Sequence, residues 1–118
     1  MTFLSMLFLL LAAHALVDFP LQTDRMARLK RRFPEPGATY NPTWFYWLGA
    51  HAFIHGGAVM LVTGSVPLGA LETALHFVAD FDSDYRRRRV TVHMDQALHI
   101  ASKLVWAALA NGLLGVTL

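Results

Sequence analysis

Four stretches of this chain carry ion-binding side chains at a constant spacing of four residues: His14, Asp18 and Gln22; His51 and His55; Glu72, His76 and Asp80; Asp95, His99 and Lys103. Residues four apart lie one turn above each other on a single helical face. Imidazole and carboxylate together suit zinc, manganese or iron, and such pairs can offer two ligands to one ion. An ion with an open position lowers the pKa of its water to about 7. A spare aspartate then serves as general base or as acid for the leaving group. The candidate ligands of a divalent metal are therefore His14, Asp18, His51, His76, Asp80, Asp95 and His99, with Asp18, Asp80 and Asp95 as candidate catalytic groups. The donor set allows one or two ions. Taken alone, His51 and His55 read as packed or pore-facing imidazoles, and His55 is left out of the ligand set. Because the chain has no cysteine, thiolate zinc sites, iron–sulfur clusters, disulfides and cysteine nucleophiles are excluded.

The elements that must position these stripes are apolar. Of 118 residues, 55% are hydrophobic and 15% charged, against about a quarter charged in soluble domains. Mean hydropathy is +0.41. The length allows one domain, residues 1–118. Four apolar segments span 2–22, 43–63, 66–81 and 92–118, the third only roughly 24 Å long as a helix. The expectation is an all-α, integral membrane four-helix bundle whose third helix is short, crossing barely or re-entering. Nine of the ten basic residues lie in two connections: Arg25, Arg28, Lys30, Arg31 and Arg32 in one, Arg86, Arg87, Arg88 and Arg89 in the other. Positive charge stays cytoplasmic, so both loops face the cytoplasm of a bacterial inner membrane and both termini lie outside. Trp44 and Trp47 suit the same interface. Counted from that boundary, His14, His51, His76 and His99 fall roughly 9–13 Å deep, and the three aspartates roughly 3–6 Å deep. Glu72 and Lys103 reach a common depth of roughly 15 Å and are expected to pair.

Several motifs have plainer readings. Residues 1–15 have the apolar core of a signal peptide and Ala13-His14-Ala15 a small-x-small site, but no basic start, so cleavage is not expected. The run Arg86 to Arg89 reads as a topology determinant touching anionic lipid head groups rather than nucleic acid. Asp80-Phe-Asp-Ser-Asp mimics a calcium loop, yet lacks glycine at the sixth position and glutamate at the twelfth. Asp82 and Asp84 read as solvated loop charges, and His93 as an exposed interface residue. Gly49, Ala50, Ala52, Gly56 and Gly57 offer small surfaces for helix packing within the chain or in a homo-oligomer.

The sequence His14-Ala-Leu-Val-Asp18-Phe-Pro-Leu-Gln22-Thr-Asp24, followed by His51, His76-Phe-Val-Ala-Asp80 and Asp95-Gln96-Ala-Leu-His99, resembles a family of small bacterial and phage membrane proteins catalogued as domain of unknown function 3307. The resemblance implies a multi-pass membrane protein and no particular activity. The histidine–aspartate pattern is also similar to that of membrane-bound metal-dependent hydrolases, although their histidine-rich signature is not reproduced. The leading expectation is a metal-dependent hydrolase acting on an ester at head-group level, near the cytoplasmic face. Its partners would be membrane lipids, with anionic head groups at 25–32 and 86–89. Transport or sensing of a metal or proton is the alternative, and a non-catalytic interaction protein is another. Three aspartates argue against bis-histidine haem binding.

Overall fold

Short polar side chains start most of the helices in the computed structural model, which describes residues 1–85 and 91–118. The first helix, α1 (Phe3–Asp18), opens where the Thr2 hydroxyl accepts the Ser5 N–H at 3.2 Å. It stops at Asp18 because Pro20 follows two residues on and bars its predecessor from helical geometry. Thr23 caps a six-residue helix, α2 (Asp24–Leu29), in the same way. Asp24 in its first turn and Arg28 in its last suit the helix dipole. The third, α3 (Trp44–Thr63), ends at Gly64, whose φ of 71° is the left-handed conformation glycine adopts freely. Ser65 Oγ then accepts the Leu68 N–H, and α4 (Val66–Tyr85) begins at once. Thr91 caps α5 (Val92–Ala110), which ends before Gly112 at φ 68°.

The fold is all-α, and it departs from expectation at three places. There are five described helices, because the basic connection holds α2. The helix expected to be short is not: α4 has 20 residues, as many as α3. Its last turn is pinned from outside, by Arg32 on Asp84 and by Asp95 on the Ser83 hydroxyl. Asp84 is thus a helical anchor rather than a solvated loop charge. Residues 111–118 are not helical, since Gly112 and Gly115 both take positive φ. The expected lipid contact of residues 86–89 lies outside the described residues.

The four long helices close a ring in which α1 and α4 each pack against both α3 and α5, and α2 lies on α3. The molecule is a prism of 48 × 24 × 23 Å. Among the described residues, one helix, α3, is long and apolar enough to cross a membrane, and α1 is apolar but shorter. Met6, Leu10, Val59, Leu68, Trp106 and Ala107 form an apolar core toward the chain-terminal end. The opposite end is filled by polar side chains.

Closeness of α3 and α4 sets the geometry of that end. A Cβ at Gly56 would lie 1.8 Å from Thr73 Oγ1 and 2.5 Å from the Gly69 carbonyl oxygen, so the two backbones touch there. Gly56 follows His55, so this contact also presses the α3 imidazoles against His76. Replacing Gly56 by valine must separate the helices, at a cost of about 1–3 kcal/mol for overpacking. The expected result is a clearly lowered unfolding midpoint by circular dichroism. Gly49→Ala, where a Cβ meets nothing within 4 Å, should leave the midpoint unchanged or raise it, since alanine is the better helix former by about 1 kcal/mol.

Candidate metal centre

Because α1 and α4 end where α3 and α5 begin, all four long helices deliver their polar stripes to one level. Asp18, the last residue of α1, is the hub. Its Oδ1 lies 3.0 Å from His55 Nε2, 3.3 Å from His51 Nε2 and 4.0 Å from His76 Nε2. Its Oδ2 accepts the Gln96 amide at 2.7 Å and lies 3.4 Å from His14 Nε2. Asp80, one turn past His76 on α4, forms a second hub. Its Oδ1 takes His99 Nε2 at 3.2 Å, and its Oδ2 lies 3.6 Å from both His51 and His76 Nε2. The imidazoles form a stack, His55 on His76 at 3.7 Å between centroids and His76 on His99 at 4.1 Å.

Two donor groups can hold a metal ion: Asp18, His51, His55 and His76, and then His76, Asp80 and His99, with the donor atoms of each group within 4.8 Å of one another. They share His76. That ring is pre-set for coordination, because its Nδ1–H donates to Glu72 Oε1 at 3.3 Å and leaves the Nε2 lone pair facing the hubs. Nε2 of His76, both ring nitrogens of His51 and Nδ1 of His14 are buried without a hydrogen-bond partner. Buried polar atoms are otherwise almost always paired. Imidazole nitrogens left bare beside carboxylates fit a cation, and no other donor set among the described residues offers it a comparable shell.

Charge says the same. Three carboxylates are nine-tenths buried or more: Asp18, Glu72 and Asp80, with side chains 9%, 1% and 8% exposed. Glu72 accepts from Lys103 Nζ at 2.6 Å and from the Trp106 indole, the pairing expected from their common depth. Asp80 accepts from Lys30 Nζ at 2.8 Å. Among the described residues, Asp18 has four imidazoles and an amide around it, but no ammonium or guanidinium within ion-pair distance. A buried charge must be paired or must bind a metal.

The remaining candidates lie around this centre. His14 donates from Nε2 to Gln96 Oε1 at 3.0 Å, so it buttresses Asp18 from the side. Asp95 accepts the Ser83 hydroxyl at 2.6 Å and stands 3.6 Å from His99 Nε2. Gln22, the last member of the first stripe, donates from its amide to the Asp18 backbone carbonyl at 3.1 Å. Sequence reasoning passed over three participants. His55 had a signal, its i, i+4 spacing from His51, and Gln96 had one in the motif Asp95-Gln96-Ala-Leu-His99, though with no role attached; Lys30 had none. A cavity of about 290 Å³ opens on Asp80 and Asp95, between Lys30 and Arg31 on one side and the start of α5 on the other. The centre thus has a mouth, on the side of the basic connection.

Fold and site together define an all-helical protein with a buried histidine–aspartate centre able to hold metal. The chain belongs to the family described as Protein of unknown function (DUF3307), whose profile matches residues 6–114. No match to it is found among the curated proteins or the solved structures.

The Glu72–Lys103 pair yields a stability prediction free of any metal. Glu72→Gln or Lys103→Met alone leaves one charge buried and unpaired, expected to cost about 3–5 kcal/mol. The double variant should recover most of that loss. Chemical unfolding, followed by circular dichroism, checks both statements.

Proposed function

We propose that this protein is a membrane-embedded, metal-dependent hydrolase whose centre lies at the cytoplasmic head-group level and acts on an ester there. The observation that carries the metal is Asp18, a buried carboxylate ringed by imidazoles and, among the described residues, without an ammonium or guanidinium partner. Membrane placement is supported by an inverted distribution of polarity. His14, His51, His55, Glu72, His76, His99 and Lys103 are buried, while Leu4, Phe8, Phe53, Leu61 and Val78 are 62–80% exposed. A soluble bundle arranges these classes the other way round. Helices α4 and α5 owe their lower hydropathy to groups that face inward, so the bundle's outer surface is more apolar than its sequence. The basic connection lies at the mouth of the centre, which the positive-inside rule assigns to the cytoplasm. Arg25, Arg28 and Arg31 are exposed there to meet anionic head groups.

Coordination chemistry favours catalysis at the outer group. Zinc with three protein ligands keeps a fourth position for water, whereas four ligands close its shell. His76, Asp80 and His99 make the three-donor group, and Asp80 lines the cavity. When bound there, a divalent ion supplies a Lewis acid and an acidified water. Asp95 is placed beside His99, with Ser83 fixing one carboxylate oxygen and the other left to accept or return a proton. A second reading, metal sensing or transport without chemistry, is favoured by the four-donor group around Asp18, which closes a tetrahedral zinc shell.

Elemental analysis of detergent-purified protein after incubation with zinc, manganese or iron tests the proposal. Wild type should retain at least one ion per chain, and His51→Ala/His76→Ala should retain none. Metal-loaded wild type should then release phosphate or alcohol from lipid-like esters, while Asp95→Asn keeps its metal and loses most activity, roughly 10²–10⁴-fold for a lost acid–base group. Metal without turnover on any ester would favour the sensing reading, and no metal would end both.

A further inference from the structure

Among the described residues, Lys30 is the ammonium that reaches the centre from the basic connection. Its ammonium stands 2.8 Å from Asp80 Oδ2, the same oxygen that lies 3.6 Å from His51 and His76 Nε2. It therefore occupies ground that belongs to the His76–Asp80–His99 donor group. This is not a chance surface pair. Asn41 bonds the carbonyls on either side of Lys30, those of Leu29 at 2.7 Å and Arg31 at 3.3 Å. Arg32 is tied to Asp84 through both its backbone N–H and its guanidinium, and lies over Phe81 and Tyr85. The segment 29–32 is clamped on three sides, with Lys30 aimed inward. Its side chain is only 16% exposed.

We propose that the centre has two ion places and that Lys30 is a tethered cation holding the outer one. The proposal rests on the metal-centre reading above and adds how its second site is governed. The inner place, at Asp18, has no ammonium or guanidinium partner among the described residues and takes the first divalent ion. With that ion alone, His76 Nε2 completes a four-donor shell with His51, His55 and Asp18. The outer carboxylate is already neutralised by Lys30, and an ammonium beside Asp80 repels any divalent ion brought to it. A second ion must move Lys30 away and claim His76 for the outer group. The inner ion then keeps Asp18, His51 and His55 and gains an open position. The cavity of about 290 Å³ beside Lys30 gives the displaced ammonium room.

The test uses zinc or manganese as the probe and counts ions per chain in wild type, Lys30→Met and Lys30→Arg. Wild type and Lys30→Arg should hold one ion at metal concentrations where Lys30→Met holds two. Adding Asp80→Asn to Lys30→Met should return the count to one. An independent readout needs no variant. The chain has two lysines, Lys30 and Lys103, and Lys103 is buried, so mass spectrometry can follow acetylation of Lys30 in wild type. Labelling of Lys30 should be slow with one equivalent bound and should rise several-fold as excess metal loads the outer place. One ion in Lys30→Met as in wild type, or two ions in wild type with Lys30 still protected, would overturn the proposal. Absence of any bound ion in all three proteins would instead remove the metal centre itself, a different result from loss of the second place alone.

Discussion

The carboxylate of Asp18 is the constraint around which this structure is arranged. It sits at the end of α1, buried, and every other long helix sends a side chain to it or to its neighbours: His51 and His55 from α3, His76 from α4, Gln96 from α5. The two other deeply buried carboxylates have ammonium partners. Asp18 does not, among the described residues. A polar layer of this kind is expensive to bury, and the cost is tolerable only if its charges close. Glu72–Lys103 and Asp80–Lys30 close theirs with protein groups, and the donors around Asp18 could close its charge with a metal ion.

Backbone features serve this arrangement. Pro20 stops α1 where Asp18 becomes its last residue, free to face three helices. The Gly56–Gly69 contact lets α3 and α4 approach until the His55 and His76 rings stack. Trp106 and Lys103 hold Glu72, which in turn fixes the tautomer of His76. A line of contacts therefore runs from the apolar core at Trp106 to the shared imidazole. The clamp at Asn41 does the corresponding task on the outside, holding Lys30 over Asp80.

Much of this was legible in the sequence, for a physical reason. Helical periodicity is fixed, so i, i+4 stripes name one face, and 1.5 Å per residue names a level. Those two facts suffice to gather His14, His51, His76 and His99 and to pair Glu72 with Lys103 across 31 residues. They fail where the answer depends on how helices end and touch. His55 lies a turn from His51, yet both reach Asp18, because the carboxylate at the end of α1 sits between their turns. Lys30 comes from a connection without periodicity, and its aim depends on a hydrogen-bonded clamp set by Asn41, eleven residues later. The length of α4 was misjudged because Asp82, Ser83 and Asp84 look like loop residues until Arg32 and Asp95 are seen to hold the last turn.

Imidazoles and Asp18 together are proposed to bind a divalent ion inside the bundle. X-ray absorption at the zinc edge of protein loaded with one equivalent tests it most directly. The expected spectrum shows a first shell of nitrogen and oxygen with the outer-ring scattering of about three imidazoles, matching the donor set at Asp18. A shell of water or carboxylate oxygen without imidazole scattering would contradict it, leaving the histidine layer as hydrogen-bonded packing.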